Sequence, residues 1–96
     1  MPPGEGAWED VVLSEWQLDA AGASDRHDHV EVNFVIEGEL HVEVDGVEVI
    51  ARSGDTVWTP RGAVGRYWAP KHARMLSIYG ANPLGGQATD LRYWEL

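Results

Sequence analysis

The sequence predicts an all-β protein, a small jelly-roll barrel (double-stranded β-helix) of about eight strands. Eleven glycines and five prolines recur along the 96 residues, with short runs rich in valine and aromatic residues between them. This is the pattern of short strands joined by tight turns. No segment supports a long helix. We expect residues 1–10 to form a flexible segment and residues 11–96 to form one barrel domain with a docked C-terminal tail.

Composition excludes several classes of protein. The chain has 7 basic and 16 acidic residues, a net charge of −9, so phosphate backbones and anionic membranes would repel it. We therefore expect neither nucleic acid nor membrane as a partner. The absence of cysteine removes disulfides, thiolate metal sites and cysteine nucleophiles. Because the first residues have no basic and apolar leader pattern, we predict a cytoplasmic location.

The acidic residues are concentrated in the first half of the chain. Residues 1–55 contain 14 acidic and 2 basic residues, whereas residues 56–96 contain 2 acidic and 5 basic residues. Two interpretations are open. Strands from the two halves interleave so that the charges offset each other across the barrel, or the first half builds a site that attracts a cation.

The strands follow from runs of apolar residues at every second position. Asp45-Gly46 predicts a type I′ hairpin turn, whereas Ala20–Asp25 is predicted to be a loop and Ala69–His72 a turn. The tail Gln87–Leu96 is too apolar to stay in water, so we expect it to dock on the barrel or on a partner subunit. The predicted strands are Val11–Leu18, Val30–Ile36, Leu40–Val44, Val47–Ile50, Thr56–Thr59, Gly65–Trp68 and Met75–Tyr79.

The strand Val30–Ile36 has two different faces. Glu31, Asn33 and Val35 lie on one face, and the other carries only apolar side chains. If Glu31 faces the barrel interior, the apolar face points outward. Such a face needs cover from the N-terminal strand or from a second subunit, which favours a homodimer.

Four candidate metal ligands precede and begin this strand. Asp25, His27, His29 and Glu31 stand at every second position, and imidazole with carboxylate suits Fe, Mn, Zn, Ni or Cu. Residues four apart in a straight strand are about 13 Å apart, so the chain must bend between His27 and Glu31 for both to reach one ion. The alternative is a solvated polar strand face without a metal.

The same residues resemble the cupin superfamily. His27–Glu31 followed by Gly38 is similar to the first cupin motif, G-x5-H-x-H-x3,4-E-x6-G, because six residues separate Glu31 from Gly38. Gly54–Gly62 fits the opening of the second motif, G-x5-P-x-G-x2-H-x3-N, without gaps. The two motifs lie in residues 22–69, with the predicted hairpin between them.

The sequence departs from the cupin motifs at the ligand positions. Gly65 stands where the second motif has its histidine and Ala69 where it has asparagine, so the usual four-ligand site cannot form. In the first motif, spacing back from Glu31 makes His27 the second histidine and places Asp25 at the first. Reading His27 and His29 as the histidine pair leaves one residue before Glu31. Two histidines and a carboxylate remain for a three-ligand site, or the site has lost its metal.

The resemblance implies a divalent transition metal held by His27, His29 and Glu31, with Asp25 as substitute, and a small organic ligand beside it. It also implies a homodimer and, for an enzyme, metal-dependent oxygenase, isomerase or lyase activity. The alternatives are a metal-free module that binds or senses a small molecule and a structural dimer without a ligand. We predict an aromatic pocket for the ligand, with a guanidinium for a carboxylate. The predicted pocket residues are Phe34, Trp58, Arg66, Tyr67 and Trp68.

Overall fold

A computed structural model gives the fold, and residues 7–96 are the ones that it describes. Residues 1–6, the greater part of the predicted flexible segment, lie outside them. The fold is all-β, and no helix long and apolar enough to cross a membrane occurs in this part of the chain. The strands are β1 (Val12–Arg26), β2 (Glu31–Val44), β3 (Val47–Arg52), β4 (Thr56–Thr59), β5 (Val64–Tyr79) and β6 (Thr89–Glu95).

All strand pairs are antiparallel. The strand order is β3-β2-β5-β1-β6, and β4 pairs with the start of β2. The long strands β1, β2 and β5 pair with one another along most of their length. β3 joins the second half of β2, and β6 joins the second half of β1. The tail predicted to dock therefore forms an edge strand on the barrel.

The long strands bend in the middle, so each belongs to both sheets of the roll. A straight strand of the length of β5, 16 residues, would measure about 53 Å, whereas the longest dimension of the molecule is 36 Å. The register between β1 and β5 shifts between Asp19 and Ala21, and that between β2 and β5 shifts on both sides of Gly38. Such bulges bend a strand and increase its twist. The predicted barrel is confirmed, and it has six strands where about eight were expected.

Two predicted connections are wrong because they are bends within strands. Ala20–Asp25 belongs to β1 and Ala69–His72 belongs to β5. Ala20 has a φ of 46° and Gly38 a φ of 86°, which shows where the strands turn. By contrast, the Asp45-Gly46 turn is confirmed, since both residues have positive φ, 51° and 81°, as a type I′ turn requires.

The backbones of β2 and β5 pack closely where the long strands bend. A Cβ atom on Gly38 would overlap the backbone carbonyl of His72, so only glycine fits there. The imidazole of His72 bridges the other two long strands: Nδ1 lies 2.5 Å from Asp19 Oδ1 and Nε2 lies 3.1 Å from Glu37 Oε1. A single side chain thus links β1, β2 and β5 where they change sheets.

The core fills the space between the two halves of the long strands. Side chains from alternate positions of β1, β2 and β5 point inward, as the pleat requires. Glu31, Asn33 and Val35 share one face, as the alternation predicts, and this face points inward. The largest fully buried apolar side chains are Tyr67, Leu40, Met75 and Val35.

We predict that His72 titrates above the usual histidine range. Hydrogen bonds to Asp19 and Glu37 raise its pKa, so the interaction stabilises the fold fully below the unfolded pKa of about 6.5 and is lost as the pH rises through the folded pKa. NMR titration of the His72 ring should show the raised value, and Asp19→Asn should lower it. Asp10→Asn is the control; an unchanged His72 titration in Asp19→Asn would contradict the bridge.

Candidate functional site

The predicted metal ligands lie at one end of the barrel, where β1 ends and β2 begins. Asp25 is the last inward-facing residue of β1, and Glu31 is the first residue of β2. His27 and His29 lie in the connection, which is not a strand. The chain therefore bends between His27 and Glu31, which is the condition that a shared site requires.

His27 lies between two carboxylates. Its Nε2 atom is 2.9 Å from Asp25 Oδ2 and 3.3 Å from Glu31 Oε1. One possible ligand atom from each of the three residues lies within 4.8 Å of the other two. His27 is 8% exposed and Glu31 is 3% exposed. A buried nitrogen and two carboxylate oxygens thus converge on one small space.

Buried polar side chains hold one oxygen of Glu31. Asn33 Nδ2 donates a hydrogen bond to Glu31 Oε2 at 2.7 Å. Trp16 Nε1 donates to Asn33 Oδ1 at 3.0 Å, and the hydroxyl of Ser77 also donates to this oxygen. The network crosses β1, β2 and β5, so the position of the Glu31 carboxylate is fixed by all three long strands.

The other oxygen of Glu31 has no such partner. Oε1 is buried and accepts no well-aligned hydrogen bond from the described residues, and the imidazole of His27 is within ion-pair distance only. Buried carboxylate oxygens normally have a partner. This oxygen points toward the space shared with Asp25 and His27, where a cation or a ligand donor would satisfy it.

The two histidines have opposite electrostatics. Burial disfavours the charged form of His27, but the hydrogen bond to Asp25 and the nearby charge of Glu31 outweigh it and raise its pKa to about 9. Burial lowers the pKa of His29, and the charge of His27 lowers it further. The hydrogen bond to the carbonyl oxygen of Val30 acts in the opposite direction, but it does not outweigh burial. In the absence of a metal, His27 is the charged and His29 the neutral imidazole near pH 7.

His29 lies beside the cluster but not in it. Its ring stacks on His27 with a centroid distance of 4.5 Å, and its Nδ1 lies 3.1 Å from the carbonyl oxygen of Val30. Trp8 and Tyr79 each contact it edge-on, with centroid distances of 5.1 Å. Of the expected ligands, the structure therefore brings together His27, Glu31 and the substitute ligand Asp25. His29 is not one of the three.

Gly65 lies opposite Asp25 in the pairing of β1 with β5. A Cβ atom on Gly65 would overlap the ring of Tyr67, which is buried in the barrel. The Tyr67 hydroxyl lies 2.5 Å from Thr59 Oγ1, and burial together with the charge of Glu31 raises the Tyr67 pKa. A neutral phenol thus fills the space into which a side chain at position 65 would project.

The five predicted pocket residues do not line one space. Tyr67 points into the barrel, whereas Phe34 lies half-exposed on the outer face of β2. Trp58 lines an apolar groove beside β3. Arg66 and Trp68 line a separate groove on the outside of the barrel. The aromatic rings near His27 are instead those of His29 and Tyr79.

Sequence reasoning did not assign a role to Asn33, Trp16 or Ser77. Asn33 shares the inward face with Glu31, so a polar residue two positions after the buried carboxylate was the available signal. Trp16 and Ser77 reach Asn33 from other strands. Finding them requires the strand register, which the sequence pattern alone does not provide.

The barrel and its histidine and carboxylate cluster define a small all-β protein with a polar site at one barrel end. A family model described as "Cupin domain" matches residues 12–79. The chain therefore belongs to the cupin domain family, and the resemblance drawn from its two motifs is confirmed.

Three similar proteins show how far this relationship extends. The chain is 38% identical over 48 residues to "Acetate kinase EutQ" of Salmonella typhimurium, covering 50% of this chain and 21% of that protein. The crystal structure of an RmlC-like cupin from Shewanella frigidimarina has a TM-score of 0.68 and 25% identity, covering 76% of this chain and 68% of that one. Hydroquinone 1,2-dioxygenase from Sphingomonas sp. TTNP3, with 4-hydroxybenzoate bound, has a TM-score of 0.67 and 16% identity over 80% of this chain and 63% of that one.

These similarities support only limited conclusions about this chain. The chain spans between 14% and 31% of the lengths of the EutQ proteins that it matches. At 16% identity the dioxygenase shares the fold alone. None of these names therefore fixes the activity of this chain.

We predict that the hydrogen bond between Asn33 and Glu31 stabilises the fold. Asn33→Ala should cost about 1–3 kcal/mol of unfolding free energy, because it leaves a buried carboxylate oxygen without its donor. A double-mutant cycle with Glu31→Ala, followed by urea denaturation, isolates the interaction of the two side chains, because alanine offers no acceptor to Asn33. Additive effects of the two substitutions would contradict the assignment.

Proposed function

We propose that this cupin barrel binds a divalent first-row transition metal through Asp25, His27 and Glu31. One observation carries the proposal: three possible ligand atoms lie within 4.8 Å of one another, and Glu31 Oε1 among them is buried without a hydrogen-bond donor. One imidazole and two carboxylates are a donor set suited to Fe, Mn, Zn, Ni or Cu. The acidic neighbourhood favours a cation.

A metal with three protein ligands keeps positions open for water or a small organic ligand. Bound there, the ion would supply Lewis-acid or oxygen-binding chemistry. Asn33 holds the Glu31 carboxylate in place, while the rings of His29 and Tyr79 form an apolar wall beside His27. Oxygenase, isomerase and lyase reactions on that ligand are the classes of activity that this arrangement would serve.

A second candidate function is metal-free binding of a small molecule. Two observations favour it. Tyr67 fills the space beside Gly65 from which the cupin motif would supply a further ligand. The imidazole of His27 lies between the carboxylates of Asp25 and Glu31, so these carboxylates compensate the charge of a protonated His27 without a metal. In this case the polar cluster itself would recognise hydrogen-bonding groups of the ligand.

The metal proposal predicts stoichiometric binding that depends on three particular residues. Untagged protein loaded with Mn, Fe, Co, Ni, Cu or Zn, then desalted, should retain about one ion per chain by elemental analysis. His27→Ala should abolish retention, and Asp25→Ala should weaken it by about tenfold or more.

His29→Ala is the matched control, because His29 touches the cluster without joining it. It should retain the metal. Loss of metal in His29→Ala with retention in Asp25→Ala would assign the site to His27, His29 and Glu31. No retained ion under any loading condition would favour the metal-free function.

We also propose that the chain forms a homodimer through an outer apolar face. Strand register places Val32, Ile78 and Leu13 in one row across β2, β5 and β1, and Phe34 and Leu76 in the next row. Leu13 is 61% exposed and Phe34 is 38% exposed. At the margin, Glu15 is paired with Arg74 at 3.0 Å, which reduces repulsion between approaching acidic chains.

A second copy fits this face because it presents the same apolar rows. Two such sheets pack face to face at about 10 Å. We expect the protein to sediment as a dimer, and Leu13→Ser with Phe34→Ser to raise the dissociation constant at least about tenfold. Leu91→Ser, an exposed leucine on β6, is the control. A monomer at high micromolar concentration would overturn the dimer.

A further inference from the structure

A groove on the outside of the barrel carries an ordered set of charged and aromatic side chains. Ser24 of β1 pairs with Arg66 on β5 and with Arg92 on β6. Because adjacent strands are about 4.8 Å apart, the two arginines begin about 10 Å from each other on one face. Their long side chains can therefore reach a single anionic group between them.

The neighbouring row of the same face is aromatic. Gly22 pairs with Trp68 on one side and with Trp94 on the other. A Cβ atom on Gly22 would overlap the indole of Trp94, so that indole lies directly over the glycine backbone. The absence of a side chain at Gly22 thus makes room for the Trp94 indole, which gives this row an apolar aromatic surface.

The two arginines of the groove form no ion pair within the described part of the chain, although Glu43 lies next to Arg66 in the strand pairing. Neither Arg66 nor Arg92 forms an ion pair with any residue in the described range 7–96, although the chain has many more acidic than basic residues. By contrast, Arg26, Arg52 and Arg74 are each paired with a carboxylate. Two guanidinium groups therefore remain available to an external anion at one place.

Acidic residues beside the arginines limit the kind of anion. Glu43 of β2 pairs with Arg66, and Glu48 of β3 pairs with Glu43, so the same row continues as two carboxylates. Both carboxylates line the groove, which has a volume of about 540 Å³, within the usual range for small-molecule sites. These carboxylates would repel a multiply charged phosphate but would accept a hydrogen bond from the far end of a singly charged ligand. Indole faces favour a flat ring over an aliphatic chain.

We propose that this outer groove binds a small aromatic monocarboxylate. The carboxylate lies between Arg66 and Arg92, with Ser24 beneath it as a further hydrogen-bond donor, and the ring stacks against Trp68 and Trp94. The site is separate from the barrel cluster: Ser24 and Asp25 are consecutive residues of β1, so their side chains point to opposite faces of the strand.

Benzoate is the probe, with benzamide as the neutral analogue and acetate as the anion without a ring. In ¹H–¹⁵N NMR titrations of the full chain, benzoate should shift the indole N–H signals of Trp68 and Trp94 saturably. Benzamide and acetate should bind about tenfold more weakly, because each lacks one of the two recognised features.

Variants separate the groove from the barrel. Arg66→Gln with Arg92→Gln should weaken benzoate binding about tenfold, whereas Arg61→Gln, an exposed arginine outside the groove, should not change it. His27→Ala should also leave it unchanged. The NMR spectrum of each variant reports whether the fold is retained.

Two results would overturn the proposal. One is the lack of saturable shifts at benzoate concentrations of several millimolar. The other is benzoate binding that survives the double arginine variant and disappears in His27→Ala, which would place the ligand in the barrel and support the proposed function instead.

Discussion

The whole structure depends on three long strands that bend together at one level. β1, β2 and β5 remain paired through the bend, so the alternation of inward and outward side chains continues from one sheet to the other. The bend requires a positive φ at Ala20 and Gly38, and His72 links the strands there. Because the strands are continuous, the core, the polar cluster and the outer groove all result from one set of registers.

The polar cluster shows how such a barrel keeps a charge in its interior. A carboxylate that is 3% exposed costs several kcal/mol in desolvation unless opposite charge and hydrogen bonds compensate it. For Glu31, one oxygen is bonded to Asn33, which is held in turn by Trp16 and Ser77. The other oxygen accepts no hydrogen bond from the described residues and lies 3.3 Å from Nε2 of His27. The fold thus fixes one side of the carboxylate and leaves its other side available for chemistry.

The sequence predicted the local features well and the long-range ones poorly. Strict alternation identified the inward face of β2, Asp45-Gly46 identified its hairpin, and the spacing from Glu31 identified Asp25 as an alternative ligand. Ala20–Asp25 and Ala69–His72 were misassigned because a bend needs the same small, polar and proline residues as a turn. The outer groove was missed because its arginines and tryptophans become neighbours only through the pairing of β1 with β5 and β6.

The contact between Gly65 and Tyr67 also constrains how this protein can change during evolution. A histidine restored at position 65 would meet the ring of Tyr67, whereas a smaller residue at 67 alone would open a cavity in the core and leave the Thr59 hydroxyl without its partner. Each single step therefore loses stability, and only the pair of changes keeps the packing while placing an imidazole opposite Asp25. The two positions are expected to vary together among descendants of this chain, because neither can change alone without loss of stability.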